Sequence, residues 1–198
     1  MDSDRDLFID SENKDSENSE KNICKKDSFL NTVIDYVKVI VIALVLSFGL
    51  RTFVVSSTVV DGRSMNPTVN HGDRLLVNKL FFMKKNITRG DIIDFYVPSA
   101  KKYYLKRVIG VEGDTVEIIE NRVYLNGKML EEDYVSTNIT TPHNENTKWV
   151  VPKDHIFVLG DNRSNSRDGR DLGVVPRSDI VGKVVLRYYP FNSFGGLK

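Results

Sequence analysis

Cysteine is almost absent from this 198-residue sequence, which contains Cys24 and no other. A single thiol excludes a disulfide framework and a thiolate metal site within one chain. The polar run 160–170 does not fit a calcium loop either, because Arg163 and Ser166 stand where such a loop needs Asp or Asn and Gly. The sequence therefore predicts no bound metal and no cofactor.

An excess of charge of either sign is also lacking. The 28 Lys and Arg residues are matched by 27 Asp and Glu residues, so the formal net charge is +1 at pH 7. No basic stripe with interleaved aromatic residues is present. Nucleic-acid binding is therefore not expected.

Histidine is also scarce, with three residues in the sequence. A hydrolase of the Ser-His-Asp type needs a histidine beside its nucleophile. His71 lies in a polar turn, His143 in a polar stretch, and His155 at the start of a predicted strand. We interpret each of them as a surface residue. A G-x-S-x-G elbow is missing as well, because Asn66 replaces its second glycine. Histidine-based hydrolase chemistry is not favoured.

Two segments precede the rest of the chain. Residues 1–32 are polar, with acidic side chains among Ser, Asn and Lys, and such a composition predicts a disordered tail. The segment 33–51 is apolar, and its stretch of about 18 residues is close to the lower limit of roughly 17 for crossing a bilayer. An unbroken apolar run over 39–46 has no polar face, which disfavours a buried core helix.

A cleaved secretory signal is the main rival interpretation of this segment. It would need a small-x-small cleavage site, and residues 49–53 offer none. The lysines at positions 21, 25, 26 and 38 outnumber the nearby basic residues that follow, Arg51 and Arg63. This bias favours a cytoplasmic N-terminus. We expect a cytoplasmic tail over 1–32, an uncleaved transmembrane signal-anchor helix over 33–51, and an extracytoplasmic domain over 52–198.

The domain after residue 52 has the pattern of a mainly β protein. Short apolar runs alternate with Gly, Pro, Asn and Asp turns, and no helical period follows residue 50. The predicted strands are 74–78, 91–97, 106–111, 115–119, 122–125, 149–151, 155–159 and 180–189. We expect an antiparallel barrel or folded sheet, with a small subdomain inserted near 130–148.

Two residues suggest a Ser-Lys pair. Ser64 follows a β-branched run that ends in Asp-Gly, which predicts a position at the rim of a sheet. Lys106 lies among residues typical of a buried strand, where desolvation and the adjacent Arg107 are expected to lower its pKa. A neutral lysine can act as a general base. The S-x-x-K match at Ser99 follows Pro98 in an exposed connector and is not favoured.

Four motifs in order resemble those of bacterial type I signal peptidases. They are Ser64-Met65-Asn66-Pro67-Thr68, Arg89-Gly90-Asp91, Lys106-Arg107-Val108-Ile109-Gly110 and the run 160–168, and the segments 172–177 and 180–183 are also similar. The resemblance covers about 33–190. It implies a signal-peptidase fold and a membrane-anchored serine endopeptidase that removes signal peptides from exported preproteins after a small-x-small motif.

The resemblance also implies residue roles. Ser64 matches the nucleophile, Lys106 the general base, and Ser166 the serine whose hydroxyl orients that lysine. Three further matches, Arg107, Asp161 and Asp168, are expected to hold the polar loop against the lysine strand. Gly62 departs from members that place an oxyanion-donating serine there, so the backbone N–H of Ser64 would carry more of that task.

The expected partners are secretory preproteins and the lipid bilayer, and we expect a monomer in the plasma membrane. Substrate would pair with the strands by β-augmentation, with Val60, Met65 and Leu105 lining shallow pockets. The apolar run 81–83 would rest on the bilayer surface or lie in the core. Two alternatives are a self-cleaving Ser-Lys protease of the DNA-damage-response repressor type and a non-enzymatic membrane-tethered β domain. The apolar segment counts against the first, and the second requires all four motifs to be coincidental.

Overall fold

The computed structural model describes residues 32–49, 54–80, 87–136, 141 and 148–197. Helix α1 (Thr32–Gly49) is long and apolar enough to cross a bilayer, and it forms a unit by itself. Lys38 Nζ lies 2.9 Å from the Asp35 carboxylate one turn away in this helix. The predicted tail lies outside the described residues apart from Thr32, and so does the apolar run 81–83.

The second unit is built on two antiparallel sheets. The larger sheet contains β1 (Val55–Val59), β2 (Arg74–Asn78), β3 (Ile92–Val97), β4 (Lys102–Val111), β9 (His155–Leu159), β10 (Val175–Pro176) and β11 (Ile180–Tyr189), in the order β1-β2-β11-β3-β4-β9-β10. The smaller contains β5 (Thr115–Ile119), β6 (Arg122–Leu125), β7 (Lys128–Met129) and β8 (Lys148–Val150), in the order β7-β6-β5-β8. The predicted mainly β, antiparallel class is confirmed.

Most predicted strands match the structure, and five of them have the predicted bounds: β2, β5, β6, β9 and β11. β4 begins four residues before its predicted start, because Tyr103 and Tyr104 continue its pairing with β3 opposite Tyr96 and Phe95. One short α-helix follows residue 50, although the sequence has no helical period there. Helix α2 (Gly169–Leu172) is a single turn with a capping box, too short to produce a helical period in the sequence.

Three apolar clusters form the core. One packs between β3, β4 and β9, and a second joins the two sheets, with the Trp149 and Phe157 ring centroids 4.8 Å apart. The third lies beneath the loop after β1 and contains Met65 and Val69, which are almost fully buried. Full burial of such a side chain is worth about 1.5–3 kcal/mol. These two residues therefore fix the loop that carries Ser64.

The edge of β4 is only partly covered by neighbouring strands. β4 pairs with β3 over residues 102–107, but its pairing with β9 begins at Arg107. Within the described residues, one backbone edge of 102–106 is therefore left without a strand partner. β1 is the first strand of the same sheet, and among the residues that the structure describes it also has one unpaired edge.

The predicted insertion near 130–148 is described only in part, at 130–136, 141 and 148. Its described residues are tied to the polar loop after β9 through Arg163. This fully buried guanidinium binds the Glu132 carboxylate and donates to Thr141 Oγ1 at 2.9 Å. The domain bounds predicted from the sequence remain predictions.

Candidate active site

Ser64 lies in the turn region that follows β1, as the Asp-Gly signal predicts. Its neighbour Met65 is anchored in the core, and the Val69 N–H donates to the Met65 carbonyl at 2.9 Å. The Ser64 carbonyl accepts a hydrogen bond from the backbone N–H of Asn162, at 3.0 Å. The loop with the serine is thus held both by apolar packing from below and by the polar loop after β9.

Lys106 reaches Ser64 from β4. Its Nζ lies 2.7 Å from Ser64 Oγ and 2.9 Å from the Leu105 carbonyl, and only 3% of the residue is exposed. The ammonium position also lies 5.2 Å from the centroid of the Tyr104 ring. The two residues of the predicted pair, 42 positions apart in sequence, are therefore in direct contact.

Desolvation dominates the chemistry of Lys106. Burial lowers its pKa to about 8, against the opposing effects of the Asp168 and Asp161 carboxylates, which favour the charged form. The positive charge of Arg170 lowers the pKa of Lys106 further. The expectation that Arg107 supplies this effect is wrong, because the Arg107 guanidinium forms a close buried ion pair with Asp161.

Arg107 and Asp161 join three parts of the site. Arg107 Nε and Nη2 donate to the two Asp161 carboxylate oxygens at 2.9 and 2.7 Å, and both side chains are buried. Asp161 also accepts a hydrogen bond from Thr68 Oγ1 at 2.6 Å. The Arg107 guanidinium carbon lies 3.9 Å from the centroid of the Tyr134 ring. The pair therefore connects the nucleophile loop, the lysine strand and the polar loop.

Asp168 closes the polar loop on itself. It is fully buried, accepts from the Gly160 N–H at 2.9 Å, and caps helix α2. Arg170 Nε and Nη2 donate to its two carboxylate oxygens, each at 2.9 Å. Both ends of the loop 160–168 are thus fixed by one carboxylate, which binds Arg170 and not a residue of β4.

Ser166 lies beside the pair without a hydrogen bond to it. Its Oγ is buried and has no hydrogen-bond partner among the described residues. A Cβ added to Gly160 would overlap the Ser166 hydroxyl and come within 2.5 Å of the Ser64 carbonyl oxygen, so Ser166 packs closely against this part of the site. Its role in orienting Lys106 stays a prediction.

Gly62 has a conformational reason to be glycine. Its φ of +114° lies in a region that L side chains rarely adopt. Its N–H donates to His71 Nδ1 at 3.2 Å, and the His71 side chain is exposed. His155 lies near the Lys153 carbonyl, and His143 is outside the described residues. Among the described histidines, none is hydrogen-bonded to Ser64.

A cleft of about 640 Å³ opens in front of the pair. The end of β1, the Ser64 loop and residues 101–106 line it, and Asp94, Asn165 and Arg167 complete the wall. Val60, Met65 and Leu105 are all part of this lining, as predicted. Ser99 of the S-x-x-K match lies exposed in a turn outside it. The described residues contain no cluster of three or more side chains suited to a metal ion.

Several residues of the site were not predicted from the sequence. Thr68 ends the family-like motif that begins at Ser64, and Arg170 lies two positions after Asp168. Proximity to these motifs could have indicated both residues. Tyr134 and Asp94 carry no sequence signal. Their positions depend on packing between segments far apart in the chain.

Comparison with known proteins gives a consistent result. Residues 33–189 match the family model described as signal peptidase, peptidase S26. Signal peptidase I P of Bacillus subtilis subsp. natto is 39% identical over 170 residues, covering 82% of this chain and 92% of that protein. Signal peptidase I of Leptolyngbya laminosa is 39% identical over 173 residues, covering 83% of this chain and 84% of that protein.

A third relative is signal peptidase I T of Bacillus subtilis (strain 168), 38% identical over 183 residues, covering 88% of this chain and 93% of that protein. A crystal structure of a signal peptidase I from Enterococcus faecalis V583 is 34% identical, with a TM-score of 0.43, and covers 50% of this chain and 97% of its own. The family model spans more than three quarters of the sequence. On this match and on its sequence relatives, the chain belongs to the signal peptidase family, peptidase S26.

Proposed function

We propose that this chain removes N-terminal signal peptides from exported preproteins, with Ser64 as the nucleophile and Lys106 as the general base. The observation that carries the assignment of these residues is the contact of 2.7 Å between Lys106 Nζ and Ser64 Oγ, made by a buried lysine. Family membership supports the serine endopeptidase activity and favours neither the repressor-type protease nor a non-enzymatic domain.

The reaction begins with neutral Lys106. Ser64 Oγ attacks the carbonyl carbon of the residue before the cut, and Lys106 Nζ takes the hydroxyl proton. Lys106 then gives that proton to the departing amine as the peptide C–N bond breaks. A water molecule, deprotonated by Lys106 Nζ, then attacks the resulting ester, and Lys106 returns the proton to Ser64 Oγ as the ester bond breaks and the signal peptide is released. The Ser64 N–H is the proposed donor to the developing oxyanion.

The cleft supports an extended substrate. The uncovered edge of residues 102–106 and the free edge of β1 both offer backbone groups to a substrate strand. Val60, Met65 and Leu105 leave shallow apolar space beside Ser64, which suits small side chains before the cut. Asp161, Arg107 and Asp168 act as positioning residues, and Ser166 is proposed to orient Lys106.

The setting of the reaction follows from the anchor. Family membership and the apolar helix α1 fit a membrane-anchored protein. The excess of lysine before α1 supports a cytoplasmic N-terminus and a catalytic domain on the outer side of the plasma membrane. A monomer is sufficient for this site, since all of the proposed residues come from one chain.

The test is a preprotein cleavage assay with the full-length chain in detergent or lipid. Ser64→Ala and Lys106→Met should each reduce cleavage by about a thousandfold or more, because each removes a group that the other requires. His71→Ala, His143→Ala and His155→Ala are the controls and should retain most of the activity. If a histidine variant with intact folding were as inactive as Ser64→Ala, the Ser-Lys assignment would be wrong.

A further inference from the structure

Asp94 is a buried carboxylate in the wall of the cleft that the proposed mechanism does not use. It lies in the middle of β3, opposite Leu105 of β4, and only 8% of the residue is exposed. Its accessible part faces the cleft, which it lines together with Ser64 and Lys106. Within the described part of the chain, its carboxylate makes no hydrogen bond and no ion pair.

The other buried aspartates are all paired with arginine. The pairs are Asp73–Arg187, Asp114–Arg89, Asp161–Arg107 and Asp168–Arg170. Burial of a carboxylate is costly unless hydrogen bonds or an opposite charge compensate it. For Asp94 the cost appears as desolvation, which raises its pKa to about 6. It remains mostly ionised near neutral pH, in a site that offers it no partner from the described residues.

Asp94 does not belong to the Ser-Lys pair. Successive residues of a strand point to opposite faces of the sheet, so Asp94, opposite Leu105, lies on the face away from Lys106. The core clusters agree with this, because Tyr104 packs in the cluster of Phe95 and Leu105 in that of Ile92. The charges that act on Lys106 are those of Asp168, Asp161 and Arg170.

The cleft itself does not neutralise Asp94. Its basic lining residues are Arg63, Lys101, Lys102 and Arg167. All four are exposed, and none forms an ion pair with Asp94. The wall of the cleft therefore presents a desolvated negative charge on the Leu105 face, one strand away from the β4 edge that is open to substrate.

We propose that Asp94 is a specificity-determining residue, which binds a cationic side chain of the substrate at one position of the extended segment beside the cut. This inference rests on the proposed function. A substrate strand on the open edge of β4 directs alternate side chains to the Leu105 face, where a long cationic side chain reaches across Leu105 towards Asp94. A cationic side chain there supplies the partner that the described residues do not provide. A neutral side chain of equal size leaves the carboxylate buried and unpaired.

The experiment uses full-length protein in detergent and a soluble peptide with a small-x-small cleavage site. Each position from the fifth residue before the cut to the second after it is replaced in turn by ornithine or by norleucine, which are equal in size and differ in charge. The ratio of kcat/KM for ornithine to that for norleucine is measured near pH 8. At one position, wild type should prefer ornithine by about tenfold or more, and Asp94→Asn should bring this ratio close to one.

Asp61→Asn is the matched control, since Asp61 is a carboxylate of the same cleft but its side chain is 96% exposed. It should keep the preference for ornithine. Asp94→Asn must still cleave the parent peptide and unfold at a temperature close to that of wild type, and Asp94→Leu repeats the test with an apolar side chain. Equal ratios for wild type and both Asp94 variants at every position, with the parent peptide cleaved, would overturn the inference alone. Failure of wild type to cleave the parent peptide any faster than Ser64→Ala would overturn the proposed function and this inference with it.

Discussion

Desolvation sets the protonation state of Lys106, and the neighbouring charges adjust it. A lysine in water is almost fully protonated at neutral pH, whereas burial lowers the pKa of Lys106 to about 8. The carboxylates of Asp161 and Asp168 oppose this lowering, but each is already bound to an arginine. The balance leaves a substantial neutral fraction at mildly alkaline pH, which is the form that a general base requires.

The first prediction concerns pH and Arg170. Since the base must be neutral, kcat/KM on a soluble peptide should rise with pH through about 8, the pKa of Lys106. Arg170 lowers this pKa, and it also binds Asp168, which raises it. Arg170→Gln therefore removes a cation and frees a carboxylate, and both changes favour protonated Lys106. The rising limb should move to higher pH.

Arg122→Gln is the control for this shift, because Arg122 is exposed on β6 in the smaller sheet. In Arg122→Gln, the rising limb of the pH dependence of kcat/KM should coincide with that of wild type. A limb that stays in place, or moves to lower pH, in folded Arg170→Gln would contradict the electrostatic argument.

The second prediction concerns Ser166. Its buried Oγ has no hydrogen-bond partner among the described residues, so Ser166→Ala removes an unsatisfied polar group and should leave the melting temperature unchanged or raised. If the hydroxyl orients Lys106 during the reaction, kcat should fall by about tenfold or more while KM changes little. Trp149 fluorescence reports melting, and peptide cleavage reports kcat and KM.

Ser164→Ala provides the comparison, because Ser164 is exposed on the same loop and its hydroxyl donates to Asn162. It should alter neither kcat nor KM appreciably. An unchanged kcat in Ser166→Ala would reduce Ser166 to a packing residue of the loop.

Strand β4 brings together most of the chemistry of the site. Its residue 106 supplies the amine, residue 107 holds the polar loop, and residues 102–106 leave an edge open to substrate. This is possible because side chains alternate along a strand while its backbone pairs sideways. The polar loop 160–168 has the complementary role, since Asp161 and Asp168 fix its two ends to β4 and to helix α2.

The third prediction tests the connection between these elements. Asp161→Ala leaves the Arg107 guanidinium buried without its carboxylate, which should cost about 3–5 kcal/mol of unfolding free energy. Urea unfolding followed by the single tryptophan, Trp149, measures this loss. Asp133→Ala, at an exposed carboxylate, should cost little.

A double variant separates the ion pair from simple packing. Arg107→Met combined with Asp161→Leu removes both charges, and it should be considerably more stable than Asp161→Ala, because no unpaired charge is left in the core. Neither form is expected to be active, since the loop and the strand would no longer be held in register. Equal destabilisation of the single and double variants would show that the charge of Arg107 is not the cause.

The whole molecule combines one apolar helix with a β-rich catalytic unit. The predicted signal peptidase is confirmed by the family model over residues 33–189 and by relatives at 37–39% identity. Family membership and the apolar helix α1 fit a membrane-anchored enzyme. The proposed orientation, with the catalytic unit outside, rests on the lysine bias before α1 and is open to direct test.

The fourth prediction is this topology. In intact spheroplasts, added protease should reach an epitope tag placed after residue 198 and should spare a tag placed before Lys21. The reason is the excess of lysine ahead of α1, which favours retention of that end in the cytoplasm. Digestion of both tags after detergent lysis is the control. Loss of the N-terminal tag with protection of the C-terminal one would reverse the assignment.

The local sequence determined those secondary-structure elements that interactions between neighbouring residues are sufficient to specify. The hairpin between β5 and β6 was indicated by Glu120-Asn121, both of which adopt positive φ angles of +49° and +61°. The apolar helix and the bounds of five strands followed in the same way. β7, β10 and α2 escaped prediction because elements of two to four residues are stabilised by their partners and caps, not by their own propensities.

The sequence by itself also indicated the Ser64 and Lys106 pair, through motifs similar to those of the family, and their catalytic roles stay predictions. Only the tertiary structure decided their geometry and surroundings. It placed their side-chain atoms 2.7 Å apart, showed that Arg170 is the cation that lowers the Lys106 pKa, and left Asp94 buried in the cleft without a partner among the described residues. These features depend on burial and on contacts between segments far apart in the chain. The apolar neighbours of Lys106 predicted its desolvation, but which charges pair with one another cannot be deduced from the neighbours of a residue in sequence.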